Sequence, residues 1–556
     1  MLIASGLRRP RHRAAVGLFR RSRALAAVVA LAAIIAALSA VAPARADTLK
    51  IILPKAPRTL DPHAYPFDPQ AYPIIMNSYR RLFDLQDGET VLTTAASLAR
   101  TARVSDDGLS YTVILREGES FADGTAITPE AVLFSFDRLM SSEAGQRLFP
   151  YLKYIRIDGP YTFAFLLNKP WPPFLASLTL PQASLISPLL AGYPADHLRE
   201  NTLGSGRYVV VKVEEGKITL RRREDISASN SPTDVEIYYE PDPRRRLDAY
   251  KAQGAHLAEL EPPLLESVPE GSEIRSFPTW DTHYLAFNFD NQYLQSQPVR
   301  DALALSAENA FTAEPTRPQG LLPRGFHGAA APAPPRELSL VAVTAEERAR
   351  ALLLEPGPPP TPLVMAYPGD DPRLRADAET LAAKFHALGV PTNLAPLNGA
   401  AGQGIMEKGD YAFYLGKRIP EIPSSEMWLG RFLDSRARTE SNPAHFKDPV
   451  VDSQIDAFDA ALPRPEREAR VKAVATLAGR ARPYVLLYQE NALFVADKRL
   501  GDLTPHPMWP LYWPFDKINL NPFRRGARDA SPPADPAPSA PEPTLDFAET
   551  VAEFFE

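Results

Sequence analysis

The chain has 556 residues, 45% hydrophobic and 23% charged, which is the balance of a globular protein with roughly two to four domains. It contains no cysteine, which excludes disulfides, thiolate zinc sites, iron–sulfur clusters, cysteine nucleophiles and a lipidated N-terminal cysteine. Its 61 basic and 67 acidic residues give a net charge of −6, so there is no basic footprint for nucleic acid.

The first 46 residues have the pattern of a secretory signal peptide. Arginines precede an apolar run from Ala24 to Ala42, and Ala44-Arg45-Ala46 is an A-x-A site, so cleavage is expected after Ala46. An uncleaved anchor stays open, because ~20 apolar residues span a bilayer, and so does the choice between Sec and twin-arginine export. Removing this segment takes away eight Arg and no Lys or acid, which changes the net charge from −6 to −14. We expect an acidic exported protein.

The mature chain begins with a short apolar strand over 48–53 and a helix from Ala71 to Leu82. The most regular stretch follows at residues 106–138. Residues 111–115 alternate as a strand between two Asp-Gly turns. A helix is predicted to begin with Thr128 as its N-cap and Pro129 at its first position.

Strand and helix patterns continue through the rest of the chain. Paired strand signals lie around the Asp158-Gly159-Pro160 turn. The predicted strands that follow cover residues 208–213, 235–239, 391–397 and 410–415. The predicted helices cover residues 243–252, 377–388 and 471–481, and Gly389 ends the second of these.

The stretch 106–138 resembles the signature of the family 5 extracellular solute-binding proteins, the periplasmic dipeptide- and oligopeptide-binding proteins of ABC importers. That signature runs roughly D-G-x-x-Y-T-x-x-L-R-x-G-x-x-F-x-D-G-x-x-x-T-x-E-D-V-x-x-S-x-x-R. Ala131 departs from it, because the family usually has Asp there. The matching residues are Asp107, Gly108, Tyr111, Thr112, Leu115, Arg116, Gly118, Phe121, Asp123, Gly124, Thr128, Glu130, Val132, Ser135 and Arg138.

Later segments extend the resemblance to about Thr48–Pro522. Residues 280–288 are similar to the family's crossing strand, 298–306 to the helix after it, and 483–488 to the segment that returns to the first lobe. The resemblance implies an α/β, two-lobed periplasmic-binding-protein fold of the large, type II peptide-binding class, with an extra subdomain on the first lobe and a ligand cleft between the lobes. The expected parts are a signal peptide (1–46), lobe I (47–279, completed by about 490–526), lobe II (280–489) and a Pro-rich linker with an acidic tail (527–556).

No pattern in the sequence demands catalysis, a cofactor or a metal. The nine histidines are scattered without metal-ligand spacing, and there is no G-x-S-x-G nucleophile elbow. A site assembled in space stays open, because catalytic triads are recognised by geometry rather than by spacing. We predict that the chain is not an enzyme.

The candidate ligand contacts fall in two segments. A cleft needs aromatic walls and a few directional polar groups, and the predicted crossing strand supplies both. Plain core packing is an equal alternative for its tryptophan, and a satisfied strand histidine is the alternative for its histidine. The candidates in this segment are Trp280, Asp281, His283 and Tyr284.

The second candidate segment is Tyr414–Glu421. In peptide-binding members of the family, a G-W-x-x-D loop lies here, and its Asp pairs with the α-amine of the peptide. This chain has Gly416-Lys417-Arg418, and Arg418 or Ile419 takes the Asp position, depending on the gap. The ligand is therefore expected to lack a free α-amine there, or to present an anion or acceptor to Arg418 or Lys417. Alternatively, both cations lie in solvent and Glu421 supplies the negative charge. The candidates here are Tyr414, Gly416, Lys417, Arg418 and Glu421.

These observations predict the substrate-binding component of an ABC importer, which captures a peptide-like or other small polar solute. Its expected partners are that ligand and the membrane permease and ATPase subunits, and it is expected to be a monomer. The alternatives are a binding fold diverted to periplasmic sensing or chaperoning and, third, a secreted hydrolase.

Overall fold

Two long strands in the middle and near the end of the chain organise the computed structural model. The structure describes residues 48–520 except 66, 86–91, 94–96, 227–230, 315, 319, 330–343, 460–463, 499 and 502. The predicted signal peptide and the predicted tail therefore lie outside the described residues. The described residues from Leu49 onward belong to one compact unit.

From Ala345 to Leu433 the described strands and helices alternate, and elsewhere they come in short runs. The strands are β1 (Thr48–Leu53), β2 (Asp84–Leu85), β3 (Leu92–Thr93), β4 (Ala99–Val104), β5 (Ser110–Leu115), β6 (Leu152–Ile157), β7 (Thr162–Leu167), β8 (Tyr208–Glu214), β9 (Lys217–Arg222), β10 (Asp234–Tyr239), β11 (Leu257–Glu259), β12 (Ser272–Phe287), β13 (Leu363–Pro368), β14 (Thr392–Leu397), β15 (Phe413–Arg418) and β16 (Tyr484–Asp497). The α-helices are α1 (Tyr72–Ser78), α2 (Pro129–Met140), α3 (Glu143–Leu148), α4 (Phe174–Ser177), α5 (Pro243–Gln253), α6 (Gln297–Ala310), α7 (Ala345–Leu353), α8 (Pro372–Ala387), α9 (Gly399–Lys408), α10 (Ser425–Leu433), α11 (Pro449–Asp456) and α12 (Arg464–Ala481).

Ten strands form the main sheet, in the order β14-β13-β15-β12-β16-β11-β1-β10-β9-β8. β12 and β16 lie at its centre and pair antiparallel from Ser272 opposite Asp497 to Ala286 opposite Tyr484. The second half of β12 pairs with β15, and the last residues of β16 pair with β11. These two strands therefore join the two halves of the sheet.

The β12–β16 ladder is interrupted where the two halves meet. The register shifts between Pro278 and Thr282, and again between His283 and Tyr284. Such bulges redirect side chains and commonly lie next to functional sites. The segment that spans the two shifts, residues 278–284, contains all four predicted ligand contacts of this strand.

Parallel strands bring three loops to one edge of the sheet. β13 runs parallel to both β14 and β15, so Pro368, Leu397 and Arg418 end their strands on the same side. A helix follows each of these ends. Ligands of open α/β sheets bind in the crevice outside the carboxyl ends of the strands.

A separate antiparallel sheet, β4-β5-β7-β6, contains part of the stretch that gave the family signature. The side chains of β5 alternate between buried and partly buried, as the sequence pattern predicts. The helix α2 begins at Pro129 after Thr128, also as predicted. Its Phe136 packs against Phe165 of β7 with ring centroids 4.9 Å apart, so helix and sheet share one aromatic core.

The helix predicted over 71–82 is shorter in the structure. It ends at Ser78, and Tyr79 has an extended backbone. The Ser78 carbonyl, which a longer helix would use internally, accepts a 2.9 Å hydrogen bond from the amide of Gly206. A Cβ on Gly206 would lie 2.1 Å from the Asn77 carbonyl oxygen, so glycine permits this approach.

Three elements in the second half of the chain begin at residues other than those predicted. α8 begins at Pro372 rather than at residue 377, because Asp371 caps it. α12 begins at Arg464, seven residues before its predicted start. The strand predicted over 410–415 is β15, at Phe413–Arg418, because residues up to Gly409 complete the end of α9. Gly416, Lys417 and Arg418 thus lie in a strand, not in a loop.

Candidate ligand-binding site

The predicted contacts of both segments meet on neighbouring strands. In the β12–β15 pair, Thr282 lies opposite Arg418, His283 opposite Lys417, and Tyr284 opposite Gly416. Alternate residues of a strand point to opposite faces of its sheet. The structure therefore brings the two segments together and at the same time divides their side chains between two faces.

We name these surfaces the charged face and the aromatic face. The charged face consists of Asp281, His283 and Lys417, on the side where Leu285 and Leu415 join the core with α6 and α8. The aromatic face consists of Trp280, Tyr284, Tyr414, Gly416 and Arg418, on the side of α10. Glu421 follows the end of β15 and belongs to neither face.

His283 is the centre of the charged face. Its ring is fully buried and stacks on Tyr488 with centroids 4.4 Å apart. Its Nδ1 lies 2.7 Å from Asp377 Oδ2, and its Nε2 lies 2.7 Å from Glu490 Oε1. Burial works to lower the pKa of His283, but the two carboxylates outweigh burial and raise that pKa above its ordinary value. The histidine holds two acids together as a satisfied structural residue.

Lys417 extends this network. Its Nζ lies 3.4 Å from Glu490 Oε1 and 3.6 Å from Asp371 Oδ2. The carboxylates raise the pKa of Lys417 against the opposing effect of burial. Asp281 is partly buried, and burial together with Glu490 raises its pKa to about 6. The ammonium is already shared between acids, so it is not an open anion site.

Sequence reasoning missed the acids that complete the charged face. Asp377 comes from α8 and Glu490 from β16, far from His283 in the chain. No periodic pattern in the local sequence could have indicated that Asp377 and Glu490 contact the histidine. The Asp371-Pro372 cap was the available signal for the correct start of α8, and so for the face on which Asp377 lies.

Trp280 anchors a loop and is not exposed in the cleft. Its side chain is fully buried, and its Nε1 donates a 3.1 Å hydrogen bond to the Arg324 carbonyl. Its ring contacts Phe326 at a centroid distance of 4.6 Å. Trp428 of α10 donates to the Leu321 carbonyl of the same loop at 2.9 Å. These contacts favour the core alternative for Trp280 over the ligand wall.

Two tyrosine rings cover Gly416. A Cβ at this position would lie 2.6 Å from Tyr414 Cε1 and 2.9 Å from Tyr284 Cζ. Tyr284 is buried, and burial raises its pKa. Glycine is therefore required here for close packing of the aromatic face.

Arg418 packs against α10 and the segment that follows it. Its Nη2 donates a 2.9 Å hydrogen bond to the Ser441 carbonyl, and its guanidinium carbon lies 3.8 Å from the centroid of Phe432. Its Nη1 is buried and has no hydrogen-bond partner among the described residues. The Arg418 guanidinium is thus a half-buried cation that is bound to a carbonyl and an aromatic ring.

Glu421 links two parts of the fold. Its carboxylate binds Arg147 of α3 at 2.5 Å and Arg431 of α10 at 2.5 Å. Burial works to raise the pKa of Glu421, but the two arginines lower it below its ordinary value. The alternative in which Glu421 supplies a free negative charge for a ligand is therefore not favoured in this conformation.

Two adjoining cavities lie beside these residues. A cavity of about 480 Å³ has Tyr151, Lys169, Trp171 and Pro173 on one wall and residues of α10, α11 and the segment between them on the other. A smaller cavity of about 170 Å³ is lined by Arg418 and Glu421. The two share Met427, Arg431 and Ser441. Their aromatic and charged linings suit a small polar solute.

A serine, a histidine and a glutamate also meet at the start of α10. Ser425 Oγ lies 3.1 Å from His327 Nδ1, and His327 Nε2 lies 3.3 Å from Glu426 Oε1. The serine is fully buried, however, and its hydroxyl donates to the His327 carbonyl at 2.8 Å. A nucleophile needs access to substrate and an acceptor for its proton. This trio anchors the His327 loop on α10.

Neither metal-ligand geometry nor a membrane span was found in the described part of the chain. No group of three or more His, Asp or Glu side chains there is arranged to hold a metal ion. None of its helices has the length and apolar character needed to cross a bilayer.

Comparisons with known proteins agree with this architecture. The chain is 26% identical over 485 residues to the probable D,D-dipeptide-binding periplasmic protein DdpA of Escherichia coli (strain K12), covering 83% of this chain and 92% of that protein. The solved structure of HbpA2 from Haemophilus parasuis superposes with a TM-score of 0.74 at 18% identity, covering 85% of this chain and all of the other. A nickel ABC transporter structure from Bacillus halodurans gives 0.73 at 18% identity, with the same coverage.

The predicted fold class is confirmed, because these neighbours are two-lobed α/β binding proteins whose whole length the chain covers. The family model for bacterial extracellular solute-binding proteins, family 5, matches residues 93–440, which is more than half of the chain. The predicted family is confirmed as well. This chain belongs to family 5 of the bacterial extracellular solute-binding proteins.

Proposed function

We propose that this solute-binding protein is the receptor of an ABC importer and binds a small polar solute between two lobes. The closed form then docks on a membrane permease, where ATPase subunits drive transport. The relatives support this role but not one ligand, because their names refer to a D,D-dipeptide and to nickel. We further propose that the chain acts in the periplasm as a monomer after cleavage at Ala46, and that it performs no covalent chemistry.

The lobes are proposed to divide where the sequence places them, with lobe II at 280–489 and lobe I at 47–279 plus about 490–526. The interrupted β12–β16 ladder supports a hinge at this boundary, because register shifts weaken pairing there. Hinge closure around a ligand is a common transition of two-lobed binding proteins.

The observation that carries the proposal is the 480 Å³ cavity and the ion pair beside it. The cavity has walls from the segments just before β6 and just after β7 and from the α10–α11 region, which belong to different proposed lobes. Arg147 and Glu421 join the same two parts directly, at 2.5 Å. A solute in this cavity would contact both lobes and favour the closed form.

The solute is proposed not to depend on α-amine recognition at the end of β15. The carboxylate that performs this task in peptide-binding relatives is absent, and Arg418 stands in this segment. Lys417 is engaged by Glu490 and Asp371, so Arg418 is the better candidate of the two cations to support recognition of an anionic or acceptor group, through its hydrogen bond to the Ser441 carbonyl. Calorimetry on Arg418→Ala tests this role, because unchanged affinity for the natural ligand would eliminate it.

Native mass spectrometry of the purified protein is the most direct test of the receptor function. We expect a co-purified solute, thermal stabilisation when that solute is added back, and no turnover of it. A protein that is empty and that no small-molecule library stabilises would argue for the sensor or chaperone alternative. Turnover of the solute would argue for a hydrolase. Adjacent genes for permease and ATPase subunits would support import.

A further inference from the structure

The carboxylates in the wall of the 480 Å³ cavity are already neutralised. Glu426 accepts hydrogen bonds from Arg467 at 2.7 Å and from Ser424 at 2.7 Å. Burial works to raise the pKa of Glu426, but Arg467, His327 and Ser424 hold that pKa well below its ordinary value. Asp434 and Asp456 both bind Arg436, at 2.7 Å each. A cationic ligand would therefore compete with an existing cation at each of these three acids.

One arginine of the same wall differs from the others. Arg431 is bound by Glu421, and Arg436 by two aspartates. Arg438 is exposed and lines the cavity, and within the described residues its guanidinium forms no ion pair. Guanidinium is the side chain best suited to two-point binding of a carboxylate or phosphate.

Arg418 supports the turn that presents Arg438. The Arg438 carbonyl accepts 2.9 Å hydrogen bonds from the amides of Ser441 and Asn442, which closes a tight turn. The Ser441 carbonyl accepts from Arg418 Nη2 at 2.9 Å. Arg418, one of the two candidates for the family's Asp position, thus binds the closing residue of the Arg438 turn.

The opposite wall supplies an aromatic surface and another cation. Tyr151 and Trp171 lie edge to face with centroids 5.9 Å apart. Lys169 lies against Tyr151, with its ammonium 5.2 Å from the ring centroid. Aromatic rings of this kind hold the apolar part of a ligand while polar groups fix its orientation.

We infer that the solute carries a carboxylate or phosphate group that binds Arg438, with its apolar part against Trp171 and Tyr151. Arg418 is the positioning residue for this contact. The inference rests on the proposed receptor function and adds the charge of the ligand to it. It explains why loss of the amine-binding carboxylate is compatible with a functional cleft.

Thermal-shift screening of the full-length mature protein tests the inference. The probes are three equal sets of metabolites, namely carboxylates and phosphates, neutral amides and sugars, and amines without an anionic group. We expect the stabilising compounds to come from the first set. Stabilisation confined to neutral compounds or amines would overturn the ligand class but leave the receptor function intact. A complete absence of stabilising compounds would count against both proposals.

Calorimetry on each stabilising anion then assigns the residues. Arg438→Gln is expected to weaken binding at least about tenfold, because a charge-assisted hydrogen bond is lost. Arg438→Lys should retain part of that affinity, and Arg418→Gln should weaken binding less than Arg438→Gln. Both Gln variants should reduce the salt dependence of the dissociation constant, which a purely structural change would not do.

Arg244→Gln, at an exposed arginine of α5, is the matched control. Equal affinities of Arg438→Gln and Arg244→Gln would overturn the assignment.

Discussion

The charged face and the aromatic face lie back to back on the same two strands, yet they are built on different physical principles. On the charged face, a buried histidine and a lysine hold three acids that come from two other segments. On the aromatic face, tyrosine rings pack over a glycine, and the one cation contacts a carbonyl and a phenyl ring. The first depends on exact charge pairing and the second on shape. Their responses to mutation and pH should therefore differ.

Removing the histidine should have the largest effect on stability. His283→Ala would leave Asp377 and Glu490 near each other without the imidazole between them. Breaking a buried ion pair on one side typically costs about 3–5 kcal/mol, and we expect a loss of that order in the free energy of unfolding. Denaturant unfolding measures it. The exposed His386→Ala is the control, expected within about 0.5 kcal/mol of wild type. A similar loss in both variants would contradict the role of the pairing.

A methyl group at Gly416 should cost less, because it changes packing and not charge. Gly416→Ala would place Cβ 2.6 Å from Tyr414 Cε1. Overpacking of this kind typically destabilises by about 1–3 kcal/mol. Gly404→Ala in α9 is the matched control, since nothing lies within 4 Å of its added Cβ. Equal unfolding free energies for the two variants would show that the rings can move aside freely.

The pH dependence of the free energy of unfolding should differ between a variant of the charged face and a variant of the aromatic face. The folded-state pKa of His283 is raised, so its contribution is fully present below its ordinary value of 6.5 and is lost as the pH rises through the higher folded value. The groups facing it are Asp377, Tyr488 and Glu490. The stability difference between wild type and His283→Gln should therefore shrink as the pH is raised above 6.5. Unfolding titrations at several pH values measure this difference.

Gly416→Ala provides the comparison for that titration. Its effect should be independent of pH over the same range, because packing of the tyrosine rings involves no ionisation there. A constant difference for His283→Gln, or a matching slope for Gly416→Ala, would remove the distinction between the faces.

The smallest effect is expected at Glu421, which belongs to neither face. Its arginine partners Arg147 and Arg431 are 48% and 40% exposed, so Glu421→Gln should cost less than about 1 kcal/mol. The substitution removes a link between the proposed lobes. We therefore expect small-angle scattering to show a larger radius of gyration for the ligand-free Glu421→Gln variant than for the wild type. Glu440→Gln, an exposed neighbour, is the control. Identical scattering from both variants would argue against Glu421 as a closing contact.

Much of the fold was accessible from the sequence where local rules dominate. The strand 111–115 alternates, and the helix after Thr128 carries its own start signal, so both lie where predicted. The helix after Asn398 was not predicted, because its glycines gave no apolar stripe. The helix predicted to reach Leu82 failed because a loop more than a hundred residues later takes the Ser78 carbonyl. Such a long-range hydrogen bond leaves no trace in local periodicity.

The candidate site was predictable in its segments but not in its geometry. Residues 280–284 and 414–418 do become neighbours, yet strand alternation sends Lys417 and Arg418 to opposite faces. The sequence predicts Lys417 and Arg418 together in a loop, and so does not separate them. The reason is that β15 begins and ends three residues later than the predicted strand. The carboxylates that neutralise Lys417, and the turn at Arg438 that Arg418 supports, come from distant segments. Whether these residues contact a ligand stays a prediction.

The interrupted ladder between β12 and β16 has a mechanical consequence. Three residues of β12, Thr279 to Asp281, lie opposite the single residue Glu490, while long regular pairing continues on one side. We expect this interruption to be the bending point between regularly paired stretches, even though the Trp280 amide donates to the Pro507 carbonyl at 3.0 Å. Bending of one half of the sheet against the other would concentrate in these few peptide units. Their amide hydrogens should then exchange with solvent faster than those of the flanking ladder.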